Sequence, residues 1–172
     1  MVAARLSFKR ILLINLPTII DIEASGFGPH SYPIEVGVVR QDGNRFCKLI
    51  KPFEDWTYWD QEAEKVHGIS HSLLTKTGIS GVQACLELNA FLASSEVYCD
   101  GWVVDLPWIN KLFSRAGISM SFRVSSLEMI LKSHQMERWH QSKEQAIEIL
   151  KLSRHRASND ALIIQKTFEL TY

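Results

Sequence analysis

The sequence predicts one α/β domain in which a mixed central sheet, antiparallel over its first three strands, is flanked by helices. Three observations lead to this fold class. β-branched and apolar segments fill the first third of the chain, helical apolar spacing dominates the rest, and one short strand-like segment interrupts the helices. A chain of 172 residues with 46% hydrophobic and 22% charged residues can bury one core, which excludes disorder, collagen and coiled coil as overall descriptions.

The first three strands are expected at residues 18–24, 34–40 and 45–50, each bounded by glycine, proline or turn residues. Asp42 and Gly43 give a turn between the second and third strands, which favours antiparallel pairing. A short fourth strand is expected at residues 96–100. Because helices alternate with this later strand, the sheet is predicted to be mixed.

Helical spacing and capping residues predict the remaining elements. Asp60 is expected to cap a short helix ending at Gly68, and either Ser158 or Asn159 is expected to cap the terminal helix. The other helices are predicted at residues 81–94, 106–115, 126–132 and 136–153.

The charge and cysteine content narrow the class of protein. Nineteen Lys plus Arg residues balance nineteen Asp plus Glu residues, so a nucleic-acid partner must be held by a local site rather than by an overall positive field. Cys47, Cys85 and Cys99 include no C-x-x-C pair, and we expect them to be small buried residues rather than a zinc or redox site. Without a disulfide framework or a run of about 18 apolar residues, the protein is predicted to be cytoplasmic and to lack membrane spans.

The amino-terminal segment superficially resembles a signal peptide, since residues 11–20 are apolar and follow basic residues. Pro17 interrupts the stretch, however, and Asp21 and Glu23 follow it without a small-residue cleavage site. We therefore expect residues 1–16 to be an N-terminal extension of uncertain order and residues 17–172 to form the domain.

Asp21 and Glu23 lie two residues apart in a predicted strand, where side chains at that spacing project from the same face. Asp60 and Glu62 have the same spacing, but they fall in a predicted helix, where residues two apart do not face each other. Two like charges at the end of an apolar strand repel unless a cation neutralises them. The pair therefore favours a hard cation such as Mg²⁺, which binds carboxylate oxygens, over a solvated strand end.

Two later segments supply further candidate ligands. Asp105 lies close behind the predicted fourth strand or at the start of the next helix, where an acid is also a common helix cap. Among the six histidines, only His155 is followed five residues later by an aspartate, Asp160. A surface histidine near a capping acid explains that pair equally well.

Taken in order, three motifs resemble those of the DEDDh family of 3′-to-5′ exonucleases, which includes ribonuclease T and proofreading exonucleases. The motifs are residues 21–26 (DIEASG), 104–109 (VDLPWI) and 155–160 (HRASND), and the resemblance runs from Pro17 to the carboxyl terminus. It implies a ribonuclease H-like fold, which agrees with the order of strands and helices. It also implies hydrolysis of single-stranded DNA or RNA from the 3′ end, releasing nucleoside 5′-monophosphates.

The resemblance assigns Asp21, Glu23, Asp105 and Asp160 as metal ligands and His155 as the general base. Four carboxylates would repel a phosphodiester, whereas two Mg²⁺ or Mn²⁺ ions would cancel that charge and activate water. An imidazole, with an ordinary pKa of about 6.5, is suited to remove the proton of that water.

The resemblance further implies that Ala24 and His67 contact the substrate, although His67 can equally be a helix-capping residue. Asp105 is preferred to Asp100 as the ligand because hydrophobic residues follow it, as they follow the family's aspartate. The expected partner is a nucleic-acid 3′ end, and both a homodimer and a polymerase-associated subunit stay open. The alternatives are a catalytically inactive nucleic-acid end-binding or interaction module on the same fold, and an endonuclease of ribonuclease H type.

Overall fold

A five-stranded sheet forms the centre of the computed structural model, which describes residues 15–172. Its strands are β1 (Ile19–Ala24), β2 (Pro33–Val39), β3 (Arg45–Leu49), β4 (Glu96–Cys99) and β5 (Arg123–Ser126). They lie in the order β3-β2-β1-β4-β5, with β1 to β3 antiparallel and with β4 parallel to both β1 and β5. The predicted mixed sheet with three antiparallel leading strands is therefore confirmed. Residues 1–14 of the predicted extension lie outside the described residues.

Helices follow and separate the later strands. They are α1 (Gln61–His67), α2 (His71–Thr77), α3 (Gly81–Leu92), α4 (Trp102–Ala116), α5 (Ser133–Leu150) and α6 (Ala157–Leu170). Asp60 caps α1 as predicted, since its side chain accepts a hydrogen bond from the backbone N–H of Glu62, and Gly68 ends the helix at a φ of 67°. Within residues 15–172, no helix is long and apolar enough to cross a membrane.

Several predicted elements were wrong or incomplete. The helix predicted at residues 126–132 is instead the end of β5 followed by one 3₁₀ turn at Leu127–Met129, because parallel pairing with β4 holds this segment extended. Helix α2, which Ser70 caps through the backbone N–H of Leu73, was not predicted. Helix α4 begins before Leu106, so that Asp105 lies in its first turn. The residue before α6 is Arg156, which places both predicted caps, Ser158 and Asn159, inside the helix.

The cysteines are only partly as expected. Cys85 and Cys99 are buried, but Cys47 is exposed. The reason is the position of Cys47 on β3, which is an edge strand of the sheet.

Alternate residues of β1 face two apolar clusters on opposite sides of the sheet. Ile20 and Ile22 belong to the larger cluster, to which α3 and α4 contribute, whereas Ile19 packs with residues of α6. Asp21 and Glu23 have the same alternation as Ile19, so they project from the face that α6 covers. The period of the strand thus directs both carboxylates towards the start of α6.

Gly37 of β2 lies opposite Asp21 and allows α6 to approach the sheet closely. A Cβ atom at this position would lie 2.1 Å from both the carbonyl carbon of Ala157 and the backbone nitrogen of Ser158. Since these are backbone atoms, they cannot move aside without moving the helix, and interiors leave little slack for such a shift. Gly37 therefore sets how near the first turn of α6 comes to β1.

We expect Gly37→Ala to lower the free energy of unfolding by about 1–3 kcal/mol or more, since overpacking a close contact costs this much. Urea unfolding followed by circular dichroism measures the change. The matched control is Gly43→Asn, at a turn where an added Cβ meets no atom within 4 Å. The φ of Gly43 is 82°, and asparagine adopts positive φ values more readily than most other residues do. Equal stability of Gly37→Ala and the wild type would contradict the close contact.

Candidate active site

The residues singled out from the sequence lie around one pocket of about 450 Å³. Asp21 and Glu23 come from β1, Asp105 from the first turn of α4 and Asp160 from the first turn of α6. Strands β1 and β4 are parallel neighbours, so their carboxyl ends meet at the same edge of the sheet, which is the usual position of ligand sites in such sheets. The residues that line the pocket include Asp21, Glu23, Asp105, His155 and Asp160.

Crowding of acids in this pocket makes their charged forms unfavourable. Burial, reinforced by Asp105, Glu23 and the other nearby carboxylates, raises the pKa of Asp21 well above its ordinary value. Burial and then the charge of Asp160 raise the pKa of Glu23 to about 8. Burial and the charge of Asp100 raise the pKa of Asp105 to about 7. A bound cation would offset the free-energy cost of these buried negative charges. The carboxylates could then stay ionised at neutral pH.

Asp105 and Asp100 differ in whether their carboxylates already have a hydrogen-bond partner. Asp105 is only 4% exposed, and its Oδ2 atom is buried and has no hydrogen-bond partner among the described residues. Asp100 instead accepts a hydrogen bond from Lys143 Nζ at 2.8 Å. A buried oxygen left without a partner is costly, and it fits a cation ligand better than an oxygen that already has a counter-charge. Asp105 therefore offers an oxygen without a partner among the described residues, and its assignment as the ligand stays a prediction.

His155 lies beside Glu23 and Asp160 in the pocket. One ligand atom from each of these three residues lies within 4.8 Å of the others. Asp160 accepts hydrogen bonds at 2.6 Å from Arg154 Nε and at 2.6 Å from the backbone N–H of His155. Since each carboxylate oxygen has two lone pairs, these bonds orient Asp160 and leave it able to bind a cation. The carboxylate oxygens of Glu23 and Asp160 fit a divalent metal ion, with the imidazole of His155 beside them.

His67 and Ala24, for which the sequence resemblance implies contact with the substrate, also line the pocket. The Nδ1 atom of His67 accepts a hydrogen bond from the backbone N–H of Ile69 at 3.0 Å, and burial lowers the pKa of His67. The neutral ring therefore carries its proton on Nε2, which is buried and unpaired among the described residues. His67 offers one N–H donor beside the carboxylates, while Ala24 adds a small apolar surface.

The structure adds residues that sequence reasoning missed. Lys143 and Arg154 bring two positive charges to the pocket. Phe27, which the sequence already offers as an aromatic residue able to stack on a terminal base, also lines the pocket and is 72% exposed. Arg154 adjoins His155 in the sequence, whereas nothing in the sequence connects Lys143 of α5 with β4. A further missed residue is Glu35, for which a signal did exist, because it is the one acid inside the otherwise apolar strand β2.

Comparison with solved structures confirms the predicted ribonuclease H-like fold. The chain is similar to E. coli Exonuclease I in complex with a dA16 oligonucleotide, with 13% identity and a TM-score of 0.64 over 90% of this chain and 40% of that chain. The zinc-bound form of the E. coli ExoI-ssDNA complex gives 13% identity and a TM-score of 0.61, covering 90% and 39% of the two chains. Exonuclease I from Methylocaldum szegediense gives 15% identity and a TM-score of 0.57, covering 71% and 29%.

This chain therefore spans less than half the length of each of these enzymes. At such low identity the likeness concerns the fold. No protein-family model and no curated protein matches the chain.

The raised pKa values predict how the stability of the metal-free protein depends on pH. Between pH 4.5 and about 8, Glu23 is protonated in the folded protein and ionised in the unfolded chain, and Asp105 behaves likewise between 3.8 and about 7. The folded state then binds more protons, so the contribution of these groups to the free energy of unfolding falls as pH rises. We expect the melting temperature in EDTA to decrease from pH 5 to pH 8 for this reason.

Glu23→Gln removes one of these titrations and is expected to flatten that decrease, raising the melting temperature in EDTA by several degrees at pH 8. The exposed residue Glu148 on α5 supplies the control variant Glu148→Gln, which should follow the wild type. A wild-type slope retained in Glu23→Gln would show that Glu23 is not a source of the pH dependence.

Proposed function

We propose that this chain is a metal-dependent 3′-to-5′ exonuclease that hydrolyses single-stranded nucleic acid to nucleoside 5′-monophosphates. The observation that carries the proposal is the meeting of four carboxylates and a histidine, drawn from β1, α4 and the start of α6, around one pocket. The fold shared with E. coli Exonuclease I, which binds a dA16 oligonucleotide, supports a nucleic-acid substrate. The order of the three sequence motifs supports the same class of reaction.

Asp21, Glu23, Asp105 and Asp160 are the residues that would hold two Mg²⁺ or Mn²⁺ ions. When bound, such ions neutralise phosphate charge, lower the pKa of water and stabilise the departing 3′ oxygen. The unpartnered Oδ2 of Asp105 and the raised pKa of Asp21, caused first by burial, both support ligation by these acids. The protein's own contribution is to keep the carboxylates in place around the scissile phosphate.

His155 would act as the general base. Its side chain is exposed, lines the pocket and adjoins Glu23 and Asp160, so a water held beside those acids would lie within reach of an imidazole nitrogen. Removing the proton of that water as it attacks phosphorus contributes roughly 10²- to 10⁴-fold in such reactions. The carboxylate of Asp160 holds the backbone of His155 and so helps to set the position of the ring.

The substrate would enter past Phe27 and His67. His67 and Ala24 line the part of the pocket where the terminal nucleotide would lie, and Nε2 of His67 has no hydrogen-bond partner among the described residues. Phe27 is exposed, and its ring centroid lies 6.0 Å from that of Trp108. An exposed aromatic ring of this kind suits stacking on a base. Stacking tolerates any base, and a site for a few terminal nucleotides needs no overall positive charge.

The direct test is an incubation of 5′-labelled single-stranded DNA and RNA with the protein and Mg²⁺. We expect a ladder that shortens from the 3′ end, and we expect EDTA to abolish it. Asp105→Asn and His155→Ala should each lower kcat by about 10²-fold or more, because the first removes a metal ligand and the second the base. Circular dichroism checks that both variants fold.

Asp100→Asn is the matched control, since Asp100 also lines the pocket but is already paired with Lys143. It should retain more activity than Asp105→Asn, and the reverse ranking would make Asp100 the ligand. Internal cleavage would point to an endonuclease, and an unchanged strand that is nevertheless bound would point to an inactive end-binding module.

Phe27→Ala tests the stacking role. Losing one stacked base costs about 1–3 kcal/mol, so KM should rise roughly 5- to 150-fold with kcat changed little. Met129→Ala removes a side chain that is equally exposed, at 75%, but does not line the pocket, and its kinetics should match the wild type. An unchanged KM in Phe27→Ala would exclude Phe27 from substrate binding.

A further inference from the structure

We infer that Glu35 and Arg156 form a positioning pair that holds the segment carrying His155 and Asp160 against β1. The inference rests on the proposed function, because it gives the pair a part in that reaction. Glu35 lies outside the three sequence motifs. Arg156 lies within the third motif but is neither one of the proposed metal ligands nor the proposed base. Their role follows from the contacts of the buried Glu35 carboxylate.

Glu35 is a charged residue in an otherwise apolar strand, β2, and it is nevertheless 0% exposed. Its carboxylate accepts hydrogen bonds from Arg156 Nη2 at 2.6 Å and from Arg156 Nε at 3.2 Å to each oxygen. It also accepts from the backbone N–H of Ala157 at 2.8 Å and from Cys47 Sγ at 3.5 Å. The carboxylate thus binds both the side chain before α6 and the first backbone N–H of that helix.

The position of this pair in the sheet links it to the pocket. Glu35 is directly opposite Glu23 in the β1–β2 ladder, and opposite residues of an antiparallel pair share one face. The residue that Glu35 binds, Arg156, immediately follows His155. A segment held at Glu35 is therefore held next to Glu23, where His155 and Asp160 complete their cluster with it.

The backbone of the held segment needs such restraint. His155 has a φ of 60°, a left-handed conformation that a residue with a Cβ atom adopts at a cost. Hydrogen bonds on both sides offset that cost, from the N–H of His155 to Asp160 and from the N–H of Ala157 to Glu35. Removal of the Glu35 bonds would free the segment to adopt other conformations and would change the direction of the imidazole.

Stability alone does not explain the pair. An ion pair with one fully buried member pays a desolvation cost that an apolar pair of similar volume would avoid. Arg156 is also 40% exposed at its side chain, which weakens its attraction through solvent screening. What the pair adds is direction, since a guanidinium on a carboxylate fixes both the distance and the plane of contact.

The test uses Glu35→Gln, Arg156→Gln and the double variant, each in the full chain. With Mg²⁺ and a 5′-labelled single strand, we expect kcat to fall about 10- to 100-fold at nearly unchanged KM, the size of effect seen when a residue behind a metal ligand is lost. Mn²⁺ affinity, measured by electron paramagnetic resonance without nucleic acid, should fall in the same variants because Asp160 is less well placed. The double variant should resemble each single one, since both act through one contact.

Arg156→Lys keeps the charge but loses the fork of the guanidinium, and it should recover part of the lost kcat. It also keeps the experiment decisive if Glu35→Gln does not fold, since Arg156 is half-exposed. The matched control is Asp55→Asn, which breaks another two-oxygen contact with an arginine, Arg115, away from the pocket and should leave kcat and Mn²⁺ affinity unchanged.

Wild-type kcat, KM and Mn²⁺ affinity in Glu35→Gln and Arg156→Gln, even with a lower melting temperature, would overturn the inference and leave the pair a structural contact. If the wild type cleaves no strand but Glu35→Gln and Arg156→Gln bind Mn²⁺ less tightly than the wild type does, the proposed reaction fails while the positioning of the acids is upheld.

Discussion

Repulsion among buried carboxylates is the constraint around which this molecule is arranged. Burial and neighbouring charges raise the pKa of Asp21, Glu23 and Asp105, so the pocket disfavours its own ionised form. Folding normally separates or pairs such groups, because like charges in a low-dielectric site cost free energy. A fold that gathers them has a pocket that favours a cation. The same features that destabilise the metal-free protein therefore favour the binding of a cation.

The sheet topology is what brings these acids together. Parallel pairing of β1 with β4 puts the start of α4 beside the carboxyl end of β1, and packing of α6 on β1 and β2 brings in the carboxyl-terminal motif. Gly37 permits the close approach of α6, and Glu35 binds the residues that lead into it. Two neighbouring positions of β2 on one face thus set the distance and the direction of the helix. Strand β2 supplies support for the pocket rather than the acids themselves.

The similarity to Exonuclease I concerns the fold, at 13–15% identity, so the chemistry must be argued from the site. The pocket of this protein contains cationic side chains as well as acids. Arg154 and Lys143 neutralise Asp160 and Asp100, whereas Asp105 keeps a buried oxygen without a partner among the described residues. The charges around the pocket are therefore unequal: Asp160 and Asp100 each contact a cationic side chain, whereas within residues 15–172 Asp105 does not.

The sequence by itself determined the fold class, because strand and helix periods are local properties, and it singled out Asp21 and Glu23 as candidates, since a strand directs alternate side chains to one face. It also offered Asp105, His155 and Asp160 as candidates through the resemblance of their motifs, and their roles stay predictions. Only the tertiary structure decided what depends on contacts between distant segments: that residues 123–126 are a strand, that Lys143 pairs with Asp100, and that Glu35 holds Arg156. These outcomes escape the sequence because a hydrogen bond between residues far apart in the chain leaves no periodic signal in either segment.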